Sequence, residues 1–496
     1  MKRDLTLVLA GILLLSTMTS CRAEETESTD TTAPETKVSE TTEETVDLAD
    51  MTYLEQLCYD RALLTDALPE KDYAGYTFRV GYLYLDDETP ASQFYQDWQA
   101  EEMTGEVLND AVYQRNITVE ERFHVDVVMV RNHASSYYDE ISAAVLAEED
   151  LCDMISIHPG FFGRLTLDGF MQNLAEMEYL DFAQPWWMQT AIENLSYDGK
   201  IYTAHGTANA VSLLGDCAVM FFNKDMAEDL QIEDLYTVVR ENRWTLDYAL
   251  KLISTTASDT DGDGIMGEND RYGLYFSFPN VMNRFVWSLG GRYVTNIDGI
   301  PTITMNNSAM EKAYSGAWTL YEADGTYAYP DYGQDSFTNG NSLLYYSAVC
   351  NYSSFRELDF AVGILPNFKA DEEQEKYLTF GSGCPQGILI TVQDTERSAI
   401  IMEALNAEGY RLVVPAYYES AVKLKMVPDQ ESAEMLDIAM NGVVFDGCQL
   451  FYNDATFMLN DFINGSSGFA SFMQSRIKLA ENYMNANIGK LNALDH

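Results

Sequence analysis

Five oxygen-bearing positions in one short stretch carry the plainest chemistry in this chain. Asp259, Asp261, Asp263 and Asp270 stand at positions 1, 3, 5 and 12 of a loop that has Gly264 at position 6 and Ile265 at position 7. Calcium takes about six to eight oxygens at ~2.3–2.6 Å, which a short loop supplies only if alternate carboxylates converge and a glycine permits the sharp turn. The spacing predicts one calcium ion held by Asp259, Asp261, Asp263, the Ile265 carbonyl and Asp270, with Gly267 opposite a water and Glu268 close enough to substitute. A single copy inside a long chain reads as a structural staple, not a paired sensor.

The elements around this loop begin with the chain's start. Lys2 and Arg3 precede an apolar run from Leu5 to Leu15, and small residues lead to Cys21. The run is shorter than the ~20 residues a bilayer span needs, and small residues before a lone cysteine are what a lipoprotein signal peptidase accepts. Residues 1–20 are therefore read as a lipoprotein signal peptide and Cys21 as the lipidated, palmitate-bearing first residue, with Met18 standing where the pattern usually has leucine. Residues 22–45 are nearly all Thr, Glu, Ser and Asp, so they cannot bury a core. A disordered acidic tether with its lead-in, 21–72, is expected to hold the folded part at the extracellular face of the cell membrane.

The formal charge of −48 repels phosphate backbones, excluding nucleic acid and anionic surfaces as partners. Six cysteines besides Cys21 (Cys58, Cys152, Cys217, Cys350, Cys384 and Cys448) are widely spaced without any CxxC, which points to buried thiols and away from zinc. Among 78 acidic residues no pair stands out as a glycosidase dyad, and no GxSxG, HExxH or Walker-type loop supports another chemistry. The chain reads as a non-enzyme with no catalytic residues. A secreted glycosidase and a calcium-dependent adhesion protein are the weaker readings.

Thr77–Leu83 reads as a strand, Gly105–Asn116 leads into a helix carrying Val107, Leu108, Ala111 and Val112, and His124–Val130 is again a strand. That order is the unit of a parallel, helix-covered sheet. Asp153–Ile157 repeats the strand pattern, Arg397–Glu408 is helical, and so is most of the last ~60 residues. The fold class is α/β.

Several blocks recur in an order that resembles one family. They are Glu106–Asn116, Pro185-Trp186-Trp187, Asp198–Tyr202, Met220–Asp225, Trp244–Asp247, the loop ending Tyr272-Gly273-Leu274, Phe337–Gly340 and Asp359–Pro366. The chain is similar to the extracellular solute-binding lipoproteins of ABC importers, in the maltose-binding-protein-like sugar-binding group (family 1). The resemblance implies a two-lobed periplasmic-binding-protein-like fold with a hinge and an interlobe cleft, lobe 1 covering 73–208 and 336–395 and lobe 2 covering 209–335 and 396–496. It implies a carbohydrate ligand, an oligosaccharide, captured for import as a monomer that hands it to ABC permease transmembrane subunits. The acidity leaves a cationic ligand such as a polyamine or peptide as the alternative.

Sugar sites combine flat aromatic platforms with hydrogen-bonding groups, and aromatics make up 12% of this chain. Trp287 before Gly290-Gly291, Trp187 and Trp186 after Pro185, and Tyr346 and Tyr345 in a hinge-proximal strand are the expected ligand-binding residues, with His205 near the hinge.

Overall fold

The structure, a computed structural model, describes residues 61, 63–84, 97–98, 100–133, 137–277, 282–329, 335–355, 358–418, 430–465 and 468–494. The signal peptide, Cys21, Cys58 and most of the tether lie outside the described residues. The chain divides into a unit of residues 1–65, of which only Arg61 and 63–65 are described, and a compact unit of residues 66–496.

Strands β1 (Tyr76–Tyr84), β2 (Val125–His133), β3 (Met154–Ser156), β4 (Ala218–Asn223), β5 (Tyr272–Ser277), β6 (Val294–Ile297) and β7 (Ile300–Ile303) come first. They are followed by β8 (Thr326–Tyr329), β9 (Ser342–Ala348), β10 (Val362–Leu365), β11 (Thr379–Phe380), β12 (Gln386–Gly387) and β13 (Val443–Val444). The helices that position the site are α1 (Val107–Phe123), α2 (Pro159–Leu167), α3 (Ala210–Gly215), α4 (Lys224–Asp229), α5 (Leu246–Thr256), α6 (Arg284–Ser288), α7 (Thr395–Glu408) and α8 (Phe469–Leu491).

The first sheet has the order β12-β3-β1-β2. Phe78, Val80 and Tyr82 are buried at a period of two, so one face of β1 enters the core. β1 pairs parallel with β2 from Tyr76↔Val125 onward, and a parallel pair needs a crossover, which α1 supplies. The Glu106 carboxylate starts that helix by accepting from Asn109 N–H at 2.7 Å, and His124 ends it in the left-handed region at φ 52°. The strand–helix–strand reading of 77–130 holds.

The second sheet runs β10-β4-β9-β5-β8, with β4 antiparallel to both its neighbours and all six of its residues buried. A strand covered on both faces reads as a continuous apolar run, which Ala218–Phe222 is. The lobe limits expected from the family need correction here. Segment 342–365 contributes β9 and β10 to the second sheet, not to the first, because both pair with β4. β12 joins β3 within the expected lobe 1, but α7 packs on α1, so residues 396–408 belong with the first sheet too and not with lobe 2. The expected tether also ends earlier than residue 72. Asp66 is pinned by Arg122 through two 2.7 Å hydrogen bonds, and Lys71 meets Glu396 at 2.6 Å.

Cys152, Cys217, Cys350, Cys384 and Cys448 are free thiols, four of them buried. No helix among the described residues is long and apolar enough to cross a membrane.

Candidate functional site

Two stretches of chain carry the backbone between the sheets, residues 204–217 outward and 366–386 back. They are knotted by side chains that only long-range contact can supply. Asn406 of α7 accepts from Ala208 N–H at 2.8 Å and donates to Gln386 Oε1 at 2.8 Å, while Thr207 Oγ1 donates to the Asn406 carbonyl. Arg115 of α1 donates to the carbonyls of Ala208 and Asp97 at 2.6 and 2.8 Å. Asp97 in turn accepts from the backbone N–H groups of Val211 and Ser212 at the start of α3. Burial pushes the Asp97 carboxyl up to about 7 despite those donors.

Against this knot four chain segments bring polar groups to one place. His158 follows β3 from the first sheet, Asp216 ends α3, Arg284 opens α6 beside the second sheet, and Ser382-Gly383 lie on the returning crossing. Arg284 Nη1 donates to the Asp216 carbonyl at 2.6 Å, and its Nη2 lies 3.5 Å from Asp216 Oδ1. Burial opposes the Asp216 charge, but Arg284, the Ser382 hydroxyl, the Gly383 N–H and His158 outweigh it and hold the carboxyl below its usual value. His158 Nδ1 accepts from Gly160 N–H at 3.2 Å, which caps α2, and desolvation lowers its pKa, so the ring is neutral at pH 7. His158 is nonetheless solvent-exposed, and Asp216 and Arg284 keep 15% and 22% side-chain exposure. At neutral pH the cluster presents a carboxylate, a guanidinium and a neutral imidazole, an array of acceptors and donors without net charge.

The aromatics expected to meet ligand are instead enclosed. Trp186 and Trp187, at 2% and 1% exposure, donate their indole N–H groups to the two oxygens of Glu403 at 2.8 and 2.9 Å. Trp287 donates to Asp446 Oδ2 at 2.8 Å and stacks on Phe380 with centroids 3.9 Å apart. Tyr345 packs among Phe221, Tyr275 and Phe337, and Tyr346 stacks on Phe285 at 4.1 Å. His205 is 1% exposed against Phe445, with neither ring nitrogen hydrogen-bonded, and burial drives its pKa down to about 3. A buried indole needs an acceptor for its N–H, and here distant carboxylates provide it. Of the six, Tyr346 alone neighbours the polar cluster, through Arg284.

His158, Asp216 and Arg284 escaped sequence reasoning. The one signal was local contrast: Asp216 is the last charge before the buried run of β4, and Arg284 is the cation inside an apolar stretch.

The acidic loop forms as its spacing requires. Gly264 takes φ +85°, and single oxygens of Asp259, Asp261 and Asp263 gather within 4.8 Å of one another. Asp270 departs from the expected set: its oxygens accept from Thr260 and Gly267 N–H at 2.7 Å each, tying the loop's ends together, and it stands outside that three-carboxylate group. Ile265 is 71% exposed.

No family model matches the sequence, and no curated protein matches it. Solved structures do. The sugar-binding protein MalE of Xanthomonas citri aligns over 84% of this chain and 98% of its own at 14% identity and a TM-score of 0.56. An ABC substrate-binding protein of Listeria monocytogenes, in complex with cycloalternan, covers 84% and 99% at 13% identity and 0.52. The maltose/maltodextrin-binding domain MalE of Bdellovibrio bacteriovorus, bound to maltotriose, covers 84% and 100% at 13% identity and 0.52. At such identities the likeness is one of architecture, and it fixes that architecture: this chain has the two-lobed α/β fold of the solute-binding proteins.

Proposed function

We propose that this protein is the solute-binding component of an ABC importer and captures a neutral carbohydrate, an oligosaccharide, between its two lobes without turning it over. The observation that carries the reading is the convergence of His158, Asp216, Arg284 and Ser382 from both sheets and both crossings, in a fold whose neighbours include proteins bound to cycloalternan and maltotriose. Sugar hydroxyls both donate and accept. The Asp216 carboxylate accepts hydrogen bonds from them, and the Arg284 guanidinium and the His158 ring complete the array. Groups from both lobes must close on the ligand together, the movement a permease reads. Attachment through lipidated Cys21 and one calcium ion on Asp259, Asp261 and Asp263 belong to the same proposal. In the calcium site the Ile265 carbonyl is the further ligand and Asp270 holds the loop shut.

Isothermal titration with maltotriose, cycloalternan and spermidine tests it. A neutral glycan should bind, and Arg284→Lys, which keeps a cation beside Asp216 but loses the planar fork, should weaken that binding at least about tenfold. Binding of spermidine alone, or release of hydrolysed glycan, would overturn the reading.

A further inference from the structure

The second sheet carries a separate cavity at its other end. Asp216 lies two residues before β4, whereas Asn223 at the far end of β4 borders a cavity of about 340 Å³. At ~3.3 Å per residue, β4 itself spans roughly 17 Å between the two ends. The cavity is lined by Asp225 and Asp229 of α4, Arg271 at the entry to β5, the amides of Asn269 and Asn341, and Met226.

The charges around it are unusual for this chain. Lys and Arg are outnumbered 30 to 78 by Asp and Glu, so cations here have partners in plenty. Yet among the described residues the Arg271 side chain makes one hydrogen bond, Nε to the Thr256 carbonyl at 2.8 Å, and no ion pair. Among the described residues Asp229 has neither a side-chain hydrogen bond nor an ion pair, and the Asp225 side chain accepts from Ala361 N–H alone, at 3.4 Å. One cation and two carboxylates border the same space without pairing. A simple anion there meets the aspartates and a simple cation meets Arg271, whereas a ligand carrying both charges satisfies all three groups. The volume lies at the small end of the ~300–1,000 Å³ that small-molecule sites occupy.

We propose that this cavity binds a zwitterion of the α-amino-acid type, its carboxylate on Arg271, its ammonium on Asp225 and Asp229, and its substituent beside Met226. The amides of Asn269 and Asn341 supply further hydrogen bonds to the carboxylate end. A binding protein so equipped carries a second ligand site independent of the one between its lobes.

Titration of the whole chain with L-alanine and L-leucine tests this, alongside their N-acetyl and methyl-ester derivatives, each of which removes one charge. Saturable heat is expected with at least one of the free amino acids, and at least about tenfold weaker binding with either blocked form. Asp229→Asn should weaken amino-acid binding to a similar degree. Because the exposed Asp229 side chain makes no hydrogen bond or ion pair among the described residues, that variant should keep the wild-type melting temperature and oligosaccharide titration, which separates failure at this cavity from failure between the lobes. No saturable heat at millimolar amino acid, equal binding of the blocked forms, or unaltered binding in Asp229→Asn would each overturn the proposal.

Discussion

Replacing Glu403 by glutamine should change the pH dependence of stability more than stability itself. The carboxylate is 2% exposed, accepts from two indoles at 2.8 and 2.9 Å and from Asp181 N–H at 3.4 Å, and makes no ion pair among the described residues. Burial is the largest influence on it, and its pKa is pushed up from 4.5 to about 7. A carboxyl raised on folding favours the protonated native state, so its contribution is full below the unfolded value and is lost as pH rises through the folded one. The window is therefore about pH 4.5 to 7. At ~1.4 kcal/mol per unit the loss across it is on the order of 3 kcal/mol. Glutamine cannot ionise, so it carries no such loss, but its NH2 cannot accept, and one indole N–H is left with a poorer partner at a cost of about 1–3 kcal/mol. Glu403→Gln should thus be less stable than wild type at pH 5 and equal to it or more stable at pH 8. Urea unfolding followed by tryptophan fluorescence at both values measures the difference, in which all other titrating groups cancel. A gap between the two proteins that stays constant with pH would refute the reasoning.

Other outcomes follow from the same contacts. Asp446 accepts from Trp287 Nε1 and from the N–H groups of Tyr293, Val294 and Cys448 within 2.9 Å, so Asp446→Asn should cost about 2–4 kcal/mol in chemical denaturation, having fewer acceptor positions to share. A Cβ at Gly273 would stand 2.3 Å from the backbone of Ile253 in α5, so Gly273→Ala should destabilise by at least about 3 kcal/mol or abolish folding, read by circular dichroism. Chelator should lower the melting temperature of the wild type more than that of Asp261→Ala; equal shifts would remove calcium from the loop.

Legibility in the sequence tracked how local the deciding contacts are. The first βαβ unit could be read because its apolar periods and the Glu106 cap lie within a few residues of each other. The assignment of β9 and β10 to a sheet could not, since it rests on pairing with β4 more than a hundred residues earlier. α7 was legible as a helix at Arg397–Glu408, but not its place: from Ser398 to Glu408 every residue is buried, so it has no polar face to show which side meets α1. The tryptophans misled because an indole suits a sugar face and a core equally well. What decides between them is an acceptor such as Glu403, 217 positions from Trp186 and 216 from Trp187, and no spacing reveals it. The polar cluster is dispersed for the same reason over residues 158 to 383.

The chain's passage between its sheets also dictates when each can form. β3 ends at Ser156, but its edge partner β12 starts at Gln386, and α7, which covers α1, comes later still. At ~5–20 residues per second, synthesis takes on the order of tens of seconds to reach them. The N-terminal sheet cannot therefore complete itself as the chain emerges, whereas the second sheet draws all five of its strands from residues 218–365. Until residues 386–387 have been made, the β3 edge that they cover has no strand to pair with, and the sheet that forms first in the sequence is the one that closes last.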